Sequence, residues 1–288
     1  MNIQKPFLKW VGGKTQILNE IINILPTEIN NYHELFLGGG SVLFAILSLQ
    51  KNNIINIKNK IYAYDLNKNL INVYKTIQNN KFLLYKKLNK YIKKYNNFEN
   101  IKDKENYYYE SRKKYNNQTD DIIKISSLFI FLNKTCFRGM YRENKKKEFN
   151  VPFGNYKNIN IFTKIELNNI YELIKNVEFI NLNFNESIKN PIAGDLVYLD
   201  PPYVALNKTS FVNYTNNGFD INTHNLLFDN ILELHNKNIK FILSNSNSDL
   251  VLNKFDINNI QIKHILAKRA INSKNPGSKI VELLIKND

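Results

Sequence analysis

An apolar run that stops abruptly at Asp200-Pro201-Pro202-Tyr203 constrains this chain more than any other stretch. Leu196 to Leu199 show no alternation of polar and apolar residues, so the run reads as a buried strand. Pro201 ends it, because proline has no backbone donor and biases the preceding residue towards extended conformations. Asp200 then stands at the carboxyl end of a strand, where open α/β sheets hold their ligands. A turn stiffened by Pro201 and Pro202 can hold a planar amine. The Asp200 carboxylate and the Pro201 carbonyl would accept its hydrogens, while the Tyr203 ring stacks on the ring that carries it. That arrangement suits methyl transfer to the exocyclic amine of a base that has left its stack. A strand-to-turn junction with a solvated Asp is the plain alternative.

The segments around this turn repeat the strand-then-helix order. Tyr32 to Phe36 reads as a short strand running into Gly38-Gly39-Gly40 and then a helix from Val42 to Leu49. Glycine there permits a sharp turn and brings a helix N-terminus against a nucleotide-like ligand. A dinucleotide fingerprint would need a third glycine where Leu43 stands, which disfavours an oxidoreductase. Ile61 to Asp65 is a second strand, and an acid at its end can take both hydroxyls of a ribose or cap the next helix, Leu66 to Ile77. Further strands are expected at Val177 to Phe184, Lys240 to Asn245, Ile260 to Leu266 and Ile280 to Ile285, with a helix from Asn222 to Asn236. Strands alternating with helices predict an α/β fold with a mostly parallel sheet.

Near the N-terminus, Gly13-Lys14-Thr15 imitates the end of a phosphate-binding loop, but Leu8 stands where that pattern needs glycine. The better reading lets the backbone pass close to a ligand at Gly12 and Gly13, with Trp10 supplying a flat face and Lys14 a charge. A helix is expected from Gln16 to Leu25. A tight turn with a core Trp and a solvated Lys is the alternative.

From Leu70 to about Ile130 glycine disappears and Tyr and Lys dominate, which predicts a helical insertion with a basic surface. Forty Lys and Arg against 25 Asp and Glu give a net charge of +15, which favours an anionic partner. The abundance of Asn, Ile and Lys shows that composition bias supplies some of those lysines. Phe131 to Gly154 then interleaves arginines, aromatics and a Lys145 to Lys147 run without helical or strand period, as an exposed loop that reads base edges would. Cys136, the single cysteine, excludes an intrachain disulfide and is expected to be a buried small side chain. His33, His224 and His235 have no ligand-spaced partner and His264 sits in a strand, so all four read as solvated or core histidines and no metal site is expected. Without a secretory signal or an apolar run of membrane-spanning length, the protein is expected to be soluble and intracellular, in cytoplasm or nucleoid, with no membrane partner.

In this order the motifs resemble the Dam-type, D12 class of adenine-specific DNA methyltransferases, over nearly the whole chain. Phe7 to Lys14 is similar to that family's N-terminal cofactor segment, Glu34 to Ser41 to its methionine-cofactor loop, and Asp200 to Tyr203 to its catalytic tetrapeptide. Phe211 to Phe219 resembles the loop that follows. Leu132 to Arg142, with Phe149 to Gly154, resembles the recognition hairpin of members that methylate GATC.

The resemblance implies a Rossmann-like methyltransferase sheet, formed by residues 1–67 and 164–288, with an inserted, mainly helical target-recognition domain at 68–163. It implies S-adenosylmethionine held by Trp10, Lys14, Phe36, Gly38, Gly40, Asp65, Asn183, Phe184 and Asp200, where Asn183 stands at a position often occupied by Asp. Asp200, Pro201, Pro202 and Tyr203 would hold the flipped adenine, and Phe137, Arg138, Met140, Arg142, Asn144 and Pro152 would meet double-stranded DNA. A restriction endonuclease acting on the same site is a possible partner under this reading. Methylation of an amine in RNA or on protein glutamine, and DNA binding without catalysis, remain open alternatives.

Overall fold

The computed structural model describes residues 3–117, 120–205, 219–268 and 279–288. It is a mixed α/β structure whose chain divides into two compact units. One comprises Met1–Gly13, Gly38–Ser48 and Asn67–Phe179; the other comprises Lys14–Leu37, Leu49–Leu66 and Ile180–Asp288.

The first unit is helical. Its longest helix runs from Lys68 to Asn97 and is bent at Asn80, whose φ of −142° is not helical. Leu84, Leu88, Ile92 and Tyr95 recur at helical spacing and are buried, while the lysines between them face outwards. Helices Ile101–Asn116, Ile122–Thr135 and Lys164–Ile174 follow. Asn67, Asn100, Asp121 and Thr163 begin the four helices, each accepting a backbone N–H with its side chain. The abundant tyrosines of this stretch serve as core: Phe131 lies 5.6–5.9 Å from the rings of Tyr91, Tyr95 and Tyr107.

The second unit is built on a sheet. The strands are β1 (Glu28–Ile29), β2 (Tyr32–Glu34), β3 (Asn56–Ile57), β4 (Ile61–Asp65), β5 (Val177–Asn181), of which only the last two residues belong to this unit, β6 (Leu196–Leu199), β7 (Lys240–Ser246), β8 (Ile260–Lys268) and β9 (Lys279–Asn287). β1 and β3 pair separately, and the other seven lie in the order β5-β4-β2-β6-β7-β9-β8. β4, β2, β6 and β7 are mutually parallel, whereas β9 runs antiparallel to β7 and β8. Every residue of β6 is buried, as its unbroken apolar run requires. One face packs Val197, Leu199, Phe241 and Leu243 against Leu227, Phe228 and Ile231 of helix Ile221–Asn236. On the other, strand alternation aligns the polar residues Tyr32, Glu34, Tyr198 and Ser244.

Several boundaries differ from those expected. The segment after Gly13 forms a 3-10 turn, Lys14–Gln16, and only a short helix, Leu18–Ile22, because Ile17 at its start offers no side-chain cap. The helix expected at Leu66 begins at Lys68, and its N-cap is Asn67 rather than Asp65. The strand expected to reach Phe184 stops at Asn181, since Asn183 caps a turn of helix, Phe184–Ser187. Residues 211–218 of the loop after Tyr203, and 269–278 of the basic loop near the C-terminus, lie outside the described residues. No helix among the described residues is long and apolar enough to cross a membrane.

Candidate active site

The strand order fixes where a ligand can enter. The chain moves from β2 outwards to β4, and from β6 outwards to β7, so the order reverses between β2 and β6. Connections leaving opposite ways open a crevice at the carboxyl ends of those two strands. Glu34 of β2 is in register with Tyr198 of β6, and Leu35 N–H donates to the Tyr198 carbonyl at 3.1 Å. Phe36 and Asp200 therefore leave the sheet side by side, at the switch point.

Asp200 is ion-paired there. Its Oδ1 lies 2.7 Å from Lys14 Nζ, and the lysine side chain is only 6% exposed. Burial raises the Asp200 pKa, and the Lys14 ammonium opposes that rise and favours the carboxylate. The same ammonium lies 4.7 Å from the centre of the Tyr203 ring. The Tyr203 hydroxyl in turn donates to Glu282 Oε2 of β9 at 2.9 Å. Below this pair Glu34 is fully buried and accepts a hydrogen bond from the Tyr32 hydroxyl at 2.8 Å. Burial pushes its pKa up to about 8, so it is mostly a neutral acid at pH 7. Tyr198 and Ser244 share a hydrogen bond of 2.9 Å on the same face.

Beside the pair, Phe36, Phe184 and Phe219 form a three-ring cluster with centroids 5.6–6.2 Å apart. His224 stacks edge-on to Phe219 at 4.7 Å, is buried, and leaves Nδ1 without a partner in the described structure. Burial lowers its pKa to about 4, so the ring is neutral. Asp65 ends β4, and its backbone carbonyl accepts from Asn181 Nδ2 at 2.9 Å. The Asn183 amide oxygen already accepts the Asn185 N–H at 3.1 Å, as cap of its short helix.

Trp10, Gly38 and Gly40 belong to the first unit. There Trp10 lies stacked near Tyr141 and Phe129, with centroids 5.6 and 6.3 Å away. A Cβ on Gly38 would come within 2.8 Å of the indole, and Gly38 also has a φ of +51°. Gly38 is thus needed both for packing against Trp10 and for turning the chain, while a Cβ on Gly40 would meet the Tyr74 hydroxyl at 2.9 Å instead.

The recognition segment is also in the first unit and forms a hairpin-like excursion, with bridges pairing Cys136 with Phe153 and Glu143 with Phe149. Phe137, Arg138, Arg142 and Pro152 are exposed on it, and Met140 is half-buried. Arg142 Nε donates to Asn150 Oδ1 at 2.8 Å. Glu143 accepts from the Tyr141 hydroxyl. Asn144 organises the tip: its Oδ1 accepts from Lys146 N and Glu148 N, and its amide donates to Glu148. Cys136 is buried, as expected, and burial raises its pKa to about 12.

An open sheet with a crevice at its switch point, and an acid-proline-proline-tyrosine turn there whose Asp200 and Tyr203 are half-buried, define an α/β protein of the kind that binds its ligand at the carboxyl ends of its strands. The profile of the D12 class N6 adenine-specific DNA methyltransferases matches residues 10–273. The type II methyltransferase M.MjaIII of Methanocaldococcus jannaschii is 41% identical, covering 98% of this chain and 99% of its own. The type II methyltransferase M1.LlaDCHI of Lactococcus lactis subsp. cremoris is 33% identical over 98% and 95%. A DNA adenine methylase of Vibrio cholerae is 31% identical over 99% and 96%. The chain belongs to the D12 class of adenine-specific DNA methyltransferases.

Of the residues singled out from the sequence, Lys14, Phe36, Asp65, Asn183, Phe184 and Asp200 to Tyr203 lie in the second unit, whereas Trp10, Gly38, Gly40 and the recognition residues lie in the first. Glu34 was marked only as the start of the segment similar to the methionine-cofactor loop, His224 only as a solvated or core histidine, and Glu282 not at all, because nothing local to these residues reveals their partners.

Proposed function

We propose that the enzyme transfers a methyl group from S-adenosylmethionine to N6 of adenine in double-stranded DNA, within GATC. The observation that carries this reading is the buried Lys14–Asp200 pair at the switch point, with Tyr203 beside it. The residues fit the donor: three phenylalanine rings offer apolar faces to a purine, the His224 Nδ1 is an unpartnered polar atom next to them in the described structure, and Asp65, at the end of β4, would take ribose hydroxyls. Lys14, Phe36, Asp65, Asn183, Phe184 and Asp200 would hold it in the second unit. When bound it supplies a methyl made electrophilic by the sulfonium to which it is attached.

What remains for the protein is to orient and activate a weak nucleophile, since the amine lone pair of adenine is delocalised into the ring. Lys14 holds Asp200 Oδ1 and favours its carboxylate against the burial that raises its pKa, which would present the second oxygen to the amine. Asp200 and the Pro201 carbonyl then accept the two amine hydrogens, favour a pyramidal nitrogen and stabilise positive charge as it builds. Tyr203 stacks on the base and fixes its plane. The proton leaves after transfer, so a strong base is not required.

The GATC assignment draws on the Phe131 to Gly154 segment and on relatives named DNA adenine methylase. Exposed Arg142 and Arg138 are the candidate readers of guanine. An intracellular setting, and a restriction endonuclease cutting the same site, extend the same reading. The test is to incubate unmethylated plasmid, RNA and protein with labelled S-adenosylmethionine and to map modified adenines by sequencing. Label in DNA confined to GATC adenines is expected. Label at another motif would overturn the site, and label only in RNA or protein would overturn the substrate.

A further inference from the structure

We propose that Glu282 is a positioning residue for methyl transfer, holding the Tyr203 ring in the plane that a flipped adenine must meet. The inference rests on the reading of Tyr203 as the residue that stacks on the base.

Tyr203 follows two prolines, so its backbone approach is rigid, but its side chain could still turn about its own torsions. The structure restrains both ends. Just beyond the ring, Val204 N–H donates to Asn245 Oδ1 at 3.1 Å, and Ser246 Oγ donates to the Val204 carbonyl at 2.7 Å. These two side chains at the end of β7 fix the backbone that carries the tyrosine. At the far end of the ring, the hydroxyl donates to Glu282 Oε2 at 2.9 Å. Glu282 lies on β9 opposite Ser246 of β7 and Ile265 of β8, inside a paired strand, so the acceptor itself is well anchored. With backbone and hydroxyl both held, the ring keeps one orientation beneath the Lys14 ammonium, 4.7 Å from its centre.

The bond to a carboxylate has a second effect. A phenol that donates to an anion carries more electron density on its ring, and an electron-rich face favours a stacked base that becomes cationic as the methyl arrives. Glu282 thus acts through Tyr203 and touches neither the methyl group nor the amine.

The test compares Glu282→Ala, Glu282→Gln, Tyr203→Phe and the Glu282→Ala/Tyr203→Phe double variant in the full-length enzyme. Single-turnover methylation, S-adenosylmethionine affinity and the emission of 2-aminopurine at the target position are read. Glu282→Ala should slow single turnover by roughly ten- to a hundredfold, as for a misplaced positioning group, with cofactor affinity unchanged. Its 2-aminopurine complex should be brighter than that of the unaltered enzyme, because the freed ring no longer quenches by stacking. Glu282→Gln, which keeps a neutral acceptor, should recover most of the rate. Tyr203→Phe should lose as much as Glu282→Ala, and the double variant no more than either. Additive losses in the double variant, or unaltered rate and emission in Glu282→Ala, would overturn the proposal. Should Glu282→Ala fail to fold, Tyr203→Phe with the full wild-type rate and emission overturns it equally. Absence of transfer to adenine by the unaltered enzyme would overturn the reading of the site as well, whereas the other outcomes bear on Glu282 alone.

Discussion

At the scale of single residues the site is a small set of buried charges whose balance depends on Lys14. One ammonium faces Asp200, while Glu34, close enough to raise the Asp200 problem electrostatically, avoids a second negative charge by holding its proton. That has a consequence for stability. Glu34 has a folded pKa of about 8, above its ordinary value of 4.5, so the folded state binds its proton more tightly than the unfolded chain. The resulting stabilisation is complete below pH 4.5 and is lost as pH rises through 8, with a slope of at most about 1.4 kcal/mol per pH unit. Glu34→Gln, which mimics the protonated acid and can still accept from Tyr32, should flatten that part of the urea-stability profile between pH 5 and 8.5. An unchanged slope in the variant would show that Glu34 is not the group responsible. Asp200 was legible in sequence because two prolines mark the end of its strand. Glu34 and Glu282 were not, because a carboxylate in a strand says nothing of its partner until register places Tyr198 beside one and Ser246 beside the other.

At the scale of elements, the alternation of strands and helices announced the parallel sheet, and the apolar run announced its central strand. What sequence could not supply was the order of strands, hence the switch point between β2 and β6 that brings Phe36 to the level of Asp200. Boundaries failed where a short polar side chain took over a helix start: Asn67 and Asn183 cap helices that the apolar spacing alone would have begun earlier or missed. In the recognition segment Phe131 to Thr135 are the end of helix Ile122–Thr135, so the absence of a period was a correct sign of irregular backbone only from Cys136 onwards, where Asn144 shapes its own turn. The exposed arginine of that hairpin carries the prediction at this scale. Arg142→Ala should relax discrimination at one base pair by roughly 1–3 kcal/mol, read as relative methylation rates on sites with single substitutions. Discrimination equal to that of the unaltered enzyme would remove Arg142 from base reading.

At the scale of the whole molecule, a net charge of +15 accompanies a DNA substrate. A chain rich in Asn, Ile and Lys can carry lysines through composition as well as through phosphate contact, so the charge count alone does not give the number of contacts. Salt dependence separates the two: DNA affinity should fall linearly with the logarithm of salt concentration, with a slope of about −0.9 for each phosphate neutralised. A flat response in an equilibrium titration would mean that the lysines do not face the backbone. The central claim is that Asp200, paired with Lys14, holds the amine that receives the methyl group. Its most direct test is the single-turnover rate of Asp200→Ala on unmethylated GATC duplex, measured beside its affinity for S-adenosylmethionine. The account predicts that methylation is abolished while cofactor binding largely survives; turnover close to that of the unaltered enzyme would contradict it.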